Sequence, residues 1–450
     1  MDLNIQNPWW ENPKVIESDE KVADALNGGK VLYTFGIKRN TIILGPRQVG
    51  KTTMLKLFVH DLLKRDVNPR NIFYFSCEPL TKKESLIEVL SEYDKLARPF
   101  TGQKYIFLDE VTYVDDWELA IKYFIETLKT GILIATGSNA SLLKAGTERL
   151  PGRDIQIEFF LPLSFREFLI KFGSEELAEM LKQHNVTELD PKRMYSDAIK
   201  LYPFLREIGS KLSIYFNTGG YIKAIYNYLD GGISESTYRT YVNWILGDLS
   251  KLDRRENIFQ GIIRGIVAKY TSSFSLNSFS KEMEIPSHVT ASEYLELAER
   301  LLLVNNLYQI DINKKIAVFR KERKSYFMDP FMYSVFNGYI TGAYKAFIDE
   351  PKLIEGIVCE ALKRLQKNEF NSSKFLFFYR NKFETDFVFK ERGNKDEEKL
   401  VGIEVKWGNA EKKDFHNFAS FKHRILLNKS KLEYEDGLLL CPVGLFLALV

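Results

Sequence analysis

The stretch Gly45-Pro46-Arg47-Gln48-Val49-Gly50-Lys51-Thr52 constrains the fold more than any other part of the chain. It follows a short apolar run, Thr41–Leu44, and opens a segment, Lys51 to Lys64, whose apolar residues recur at helical spacing. A glycine-rich turn between a buried strand and a helix curls so that backbone N–H groups and the helix N-terminus face phosphate oxygens. In that pattern the lysine reaches the β- and γ-phosphates and the following hydroxyl holds Mg²⁺. The expected ligand is ATP with Mg²⁺. Its contacts are Gly45, Pro46, Arg47, Gln48, Val49, Gly50, Lys51, Thr52 and Thr53, with Lys51 as a catalytic cation and Thr52 as a metal ligand.

Three more apolar runs, Asn71–Ser76, Tyr105–Leu108 and Ile132–Ala135, alternate with the helical patterns Lys51–Lys64, Lys83–Tyr93 and Trp117–Leu128. That rhythm predicts a doubly wound parallel sheet, since parallel strands need helical crossovers. Two carboxylates, Asp109 and Glu110, end the third run, at the edge where such sheets bind ligands. Asp109 is expected to orient the magnesium shell and Glu110 to polarise an attacking water. The fourth run ends in Thr136-Gly137-Ser138-Asn139, which offers Asn139 or Ser138 as a sensor of the γ-phosphate. Arg149 and Arg153 follow; an arginine reaching a neighbouring subunit's nucleotide would stabilise transition-state charge, and Arg153 is the preferred candidate. Such a finger implies a homo-oligomer.

At 450 residues the chain is long enough for about three folding units. Four segments are expected: a P-loop core at 1–162, a helical lid at 163–250, a winged helix at 251–330, and a second α/β unit at 331–450. With 63 basic against 60 acidic side chains, a nucleic-acid surface has to be a local patch. Cys77, Cys359 and Cys441 form neither a paired framework nor a zinc spacing, and the N-terminal residues do not read as a signal peptide, so a cytoplasmic protein is expected. The apolar tail Gly437–Val450 is too short for a membrane span and reads as two buried strands, so no membrane association is expected.

These motifs, together with Asn7-Pro8-Trp9-Trp10, Phe75-Ser76-Cys77, Glu148 to Arg153 and Leu161 to Phe168, resemble the archaeal ATPase group of the AAA+/STAND P-loop proteins. Thr218-Gly219-Gly220-Tyr221 is similar to the glycine pair opening that family's lid helix, although Ile222 and Lys223 depart from its usual residues. Tyr326-Phe327-Met328-Asp329-Pro330 resembles a recurrent segment before the C-terminal domain. The resemblance implies an ATPase core, a helical lid, a winged helix and a C-terminal domain similar to restriction endonucleases of the PD-(D/E)xK type.

In Val401-Gly402-Ile403-Glu404-Val405-Lys406, strand alternation puts Glu404 and Lys406 on the face opposite the apolar residues. With Asp386 before it and Glu355 on the opening helix, this resembles the Asp…Glu-x-Lys nuclease core. Asp386, Glu404 and Glu355 would hold a divalent ion, and Lys406 would orient or help deprotonate water. The same residues also suit a polar stripe, or a nuclease fold that grips DNA without cutting it. In the winged-helix segment Lys314, Lys315, Arg320, Lys321, Arg323 and Lys324 cluster in and after the wing, pointing to DNA-backbone contact. Lys412, Lys413, His416, Lys422, His423 and Arg424 form a second basic stretch. The expected activity is ATP hydrolysis driving work on DNA. The alternatives are an ATP-dependent assembly switch with a non-cleaving C-terminal domain, and an ATP-licensed endonuclease.

Overall fold

The computed structural model describes residues 2–28, 38–128, 131–138, 155–366, 372–392, 398–415 and 421–450, and the chain divides into two compact units, Met1–Leu161 and Pro162–Val450. In the first unit β1 (Asn40–Leu44), β2 (Ile72–Ser76), β3 (Tyr105–Asp109), β4 (Ile132–Gly137) and β5 (Ile155–Phe159) form a parallel sheet in the order β2-β3-β4-β1-β5. The first four strands coincide with the apolar runs, because strands covered on both faces need no polar alternation. No apolar run announces β5: it is an edge strand, Ile-Gln-Ile-Glu-Phe, and largely half-buried. Helices Lys51–Lys64, Lys83–Ala97 and Trp117–Tyr123 supply the crossovers, the last passing into a π turn at Phe124–Leu128.

The chain leaves β1 for the far edge at β2, returns through β3 and β4, and then passes β1 to lay down β5. The reversal beside β1 opens a crevice at the carboxyl ends of the strands, where α/β sheets bind ligands. The opposite edge is sealed by side chains. Asn7 donates to the Tyr74 carbonyl at 3.0 Å and accepts from its N–H at 2.7 Å, while the Trp9 and Trp10 indoles donate to the Ile72 carbonyl at 3.1 and 2.9 Å. The Asn-Pro-Trp-Trp motif thus stands in for a missing strand on β2 and blocks edge-to-edge pairing there.

The second unit begins with helices Phe165–Phe172, Glu175–Gln183, Pro191–Leu201, Leu205–Thr218, Ile222–Leu229 and Glu235–Lys251. Ser164 and Glu167 close a capping box on the first of them. Helices Glu256–Ala268, Leu276–Glu282 and His288–Arg300 then lead into β6 (Val304–Asp311), β7 (Ile316–Ala317) and β8 (Arg323–Phe327). After helices Pro330–Thr341 and Glu350–Arg364 come β9 (Leu376–Arg380), β10 (Glu384–Arg392), β11 (Glu398–Val405), β12 (His423–Asn428), β13 (Glu433–Glu435) and β14 (Leu438–Pro442). All nine strands make one mixed sheet, and β6 pairs with β9 in parallel. The sheet therefore runs on across residue 330. The tail corrects the expectation of two buried strands: β14 is followed by the helix Val443–Leu449. Every residue from Leu438 to Leu449 is buried, so no periodicity separates strand from helix there.

The two glycines at the end of helix Leu205–Thr218 are required by contact. Gly219 lies at φ 52°, ψ −152°, and a Cβ on it would come within 1.7 Å of Asp329 Oδ1. A Cβ on Gly220 would come within 1.9 Å of the Leu163 carbonyl oxygen. Asp329 accepts from Gly220 N–H at 2.8 Å and from Phe331 N–H at 2.9 Å, capping helix Pro330–Thr341. The glycine pair and the Asp-Pro segment, 109 residues apart, therefore meet at one hydrogen-bonded point.

Burial raises the Asp329 carboxyl from its ordinary 3.8 to about 7, against the two N–H bonds that favour its charge. A carboxyl raised in the folded state contributes stability in full below about pH 4 and loses it as pH rises through about 7. The loss amounts to up to about 4 kcal/mol on this shift. Asp329→Asn should flatten the fall in unfolding free energy between pH 5 and 8, measured by urea titration; equal slopes in the two proteins would refute it.

Candidate functional site

The crevice beside β1 contains the glycine-rich loop. Gln48 (φ 63°) and Gly50 (φ 102°) take left-handed conformations that curl the backbone before the helix begins at Lys51. A Cβ on Gly45 would meet the Phe160 carbonyl oxygen at 2.0 Å, so only glycine fits between β1 and the chain leaving β5. Arg47 donates to the Tyr113 hydroxyl at 3.2 Å, and Val49 is buried. Thr52 and Thr53 lie half-buried in the first helical turn.

Lys51 is 4% exposed, with its ammonium on the carbonyls of Gly45 (2.9 Å) and Pro46 (3.0 Å) and 3.5 Å from Glu110 Oε1. Burial pulls its pKa below the usual lysine value, while the Glu110 and Asp109 carboxylates push back. Asp109 is buried at the end of β3, accepting from the Thr136 hydroxyl at 2.6 Å and the Tyr74 hydroxyl at 2.9 Å. Glu110 sits at φ 53°, which turns its carboxylate away from the strand direction. Its N–H donates to Thr136 Oγ1 at 3.0 Å, and its Oε2 accepts from Ser138 N–H at 3.2 Å.

The structure brings Lys51, Asp109 and Glu110 together. A hydroxyl at Thr52 and a carboxylate at Asp109 are oxygen donors of the kind Mg²⁺ takes, and they fit that ion. Tyr74 is the residue that sequence reasoning passed over, hidden in an apolar run, and Thr136, named there only as part of a polar turn, braces both acidic residues. Asn139, Arg149 and Arg153 lie outside the described residues.

A second cluster forms in the C-terminal sheet. The pairing of β10 with β9 shifts register between Thr385 and Val388, and this irregularity carries Asp386, whose Oδ2 accepts from Val405 N–H at 2.9 Å. Lys324, from β8, is 1% exposed; its ammonium lies 2.7 Å from Glu384, 3.3 Å from Glu355 and 3.4 Å from Asp386. Burial would lower its pKa, but those carboxylates hold it above the ordinary lysine range. The Tyr326 hydroxyl donates to Glu355, whose carboxyl is pushed up to about 7 by burial and by Asp386. Glu404 is buried beside Asp386, with Oε1 lacking a hydrogen-bond partner and its carboxyl pushed well above the ordinary carboxylate range by burial and by Asp386.

Glu355, Asp386 and Glu404 thus lie in one neighbourhood, but the cation among them, Lys324, comes from the basic run after the wing rather than from the Glu-x-Lys motif. Among the described residues no three carboxylate, histidine or cysteine groups are placed to hold a metal ion. Lys406 is exposed at the end of β11. The alternative of a solvent-facing polar stripe fails at Glu404, which is buried.

Two basic runs also change meaning. Arg323 and Lys324 are buried, the guanidinium of Arg323 standing 5.1 Å over the Tyr308 ring, so neither is a DNA contact. Lys314, Arg320 and Lys321 remain exposed. In the second run Lys412 pairs with Glu433 and Glu435, Lys413 pairs with Glu411 at 2.8 Å, and His423 and Arg424 open β12; His416 lies outside the described residues.

Residues 38–169 match the family model described as an AAA domain, and residues 351–445 match a domain of unknown function, DUF4143. With the five-stranded parallel sheet and its loop, the first match supports a P-loop ATPase of the AAA+ class in this part of the chain. An uncharacterized protein of Haemophilus influenzae is 30% identical over 133 residues, 28% of this chain and 32% of the relative. An uncharacterized protein of Methanocaldococcus jannaschii is 28% identical over 224 residues, 45% of this chain and 46% of the relative. The chain thus spans less than half the length of these curated relatives. Solved structures that match include Cdc6p from Pyrobaculum aerophilum (14% identity, 73% of this chain and 95% of the other, TM-score 0.23) and AMPPCP-bound DnaA from Aquifex aeolicus (16%, 64% and 81%, TM-score 0.24). No described helix is long and apolar enough to cross a membrane.

Proposed function

We propose, from the premise of an AAA domain at residues 38–169, that the chain binds ATP with Mg²⁺, hydrolyses it, and uses the cycle to act on DNA. The observation that carries the ATPase reading is the meeting of Lys51, from the glycine-rich loop after β1, with Asp109 and Glu110 at the carboxyl end of β3, one strand beyond β4. Loop N–H groups and Lys51 bind and orient the β- and γ-phosphates. Thr52 and Asp109 would hold the magnesium ion, which supplies charge neutralisation on the phosphates when bound. Glu110, braced by Ser138 N–H, accepts the proton of the attacking water. Asn139 is assigned as sensor of the γ-phosphate and Arg153 as the finger offered to a neighbouring copy in a homo-oligomer.

We assign 163–250 as a lid, 251–330 as a winged helix and 331–450 as a nuclease-like domain. Support for the second is the order of three helices followed by the antiparallel pair β6 and β8. Support for the third is Asp386 and Glu404 on adjacent strands of a mixed sheet. The exposed cations Lys314, Arg320 and Lys321 beside exposed Phe319 are the surface offered to the DNA backbone. The protein is assigned to the cytoplasm. The test is ATP turnover with and without Mg²⁺, and with duplex, single-stranded or branched DNA across a salt series. Mg²⁺-dependent turnover stimulated by DNA, with stimulation fading as salt rises, is the expected result. Failure to retain ATP at saturating Mg²⁺ refutes the ATPase reading, and indifference to every DNA form refutes the DNA reading.

A further inference from the structure

The acidic cluster of the C-terminal sheet already contains a cation. The Lys324 ammonium touches three carboxylates, at 2.7 Å from Glu384, 3.3 Å from Glu355 and 3.4 Å from Asp386. Two of these, Glu355 and Asp386, are the groups a divalent ion would need. Such an ion requires oxygens at about 2.0–2.6 Å and would stand within a few ångströms of the ammonium. Two cations that close, in a site this buried, repel strongly. Lys324 has little room to withdraw: it belongs to a fully buried strand, and its ammonium stands 5.8 Å from the Phe378 ring centre.

Other protein groups also engage these carboxylates. Asp386 Oδ2 accepts from Val405 N–H and Glu355 accepts from Tyr326. Glu404 Oε1, buried and without a hydrogen-bond partner, is the oxygen beyond the ammonium's reach. Lys406, the motif lysine, is exposed just past β11; its charge favours the Glu404 carboxylate without a hydrogen bond to Oε1.

We propose that the Lys324 ammonium is the resident cation of this site, standing where a divalent ion would be shared, so that the domain takes no divalent metal there and does not cut DNA by metal-dependent chemistry. Removing that ammonium leaves Glu355 and Asp386 free to share a divalent ion whose remaining ligands are water. The inference concerns the second unit alone and stands or falls separately from ATP turnover.

The test is Mn²⁺ titration of the nucleotide-free full chain, following the free-ion signal by electron paramagnetic resonance. Wild type and Asp386→Asn should bind the same number of Mn²⁺ equivalents with the same affinity. Lys324→Ala, with Lys324→Met as the variant that keeps the side chain's bulk, should gain one equivalent at least about tenfold tighter than wild-type binding. That gain should vanish in the Lys324→Ala/Asp386→Asn double variant. Loss of a wild-type equivalent on Asp386→Asn overturns the proposal. So does a cooperatively melting Lys324 variant that gains no equivalent. Should neither Lys324 variant fold, the comparison of wild type with Asp386→Asn still decides.

Discussion

Lys51→Ala should lower ATP turnover by at least about 10³-fold and release nucleotide that the wild type retains. The ammonium is buried and bonded to the carbonyls of Gly45 and Pro46, so it is fixed at the mouth of the loop before any phosphate arrives. A methyl group there removes the cation that the loop offers to the β- and γ-oxygens, in a site where water compensates poorly. It also leaves Glu110 without its partner at 3.5 Å, so two negative groups would face each other across the crevice. The measurements are steady-state phosphate release and retention of labelled ATP at saturating Mg²⁺, with thermal melting as the check on folding. A folded variant that keeps wild-type turnover would remove the basis for an ATPase.

Glu110→Gln should separate binding from hydrolysis. The glutamine carbonyl can still accept from Ser138 N–H, so the loop geometry survives, but no base remains to take a proton from water. Turnover should fall by about 10²- to 10³-fold while ATP remains bound. Single-turnover kinetics beside equilibrium retention read the two effects independently. Unchanged turnover would reduce Glu110 to a structural role, as the residue at φ 53° that turns the chain into the short 3₁₀ turn Val111–Tyr113 and pairs with Lys51.

Much of the first unit is legible from local pattern alone. The helix Lys51–Lys64 begins and ends at the residues its periodicity indicates, and four strands coincide with apolar runs, because each element's own side chains dictate its burial. Legibility fails at edges and inside uniformly apolar stretches. The edge strand β5 has few buried residues to mark it, and the tail after β14 is buried on every side, so neither carries a period. The carboxylates Asp109 and Glu110 are readable because they terminate an apolar run. Tyr74, which hydrogen-bonds Asp109, is not, because its hydroxyl acts from a neighbouring strand in parallel register.

By itself the amino-acid order determined a phosphate-binding turn between strand and helix and two acids at a strand end. These follow from short-range chemistry, in which spacing along the chain is spacing in the fold. Only the tertiary structure decided which charge answers which. It took Lys324 out of a basic run that looks solvent-exposed and buried its ammonium among Glu355, Glu384 and Asp386. The reason is that charge pairing in a folded interior depends on which strands become neighbours, and the strand bearing Lys324 lies 62 residues from Asp386.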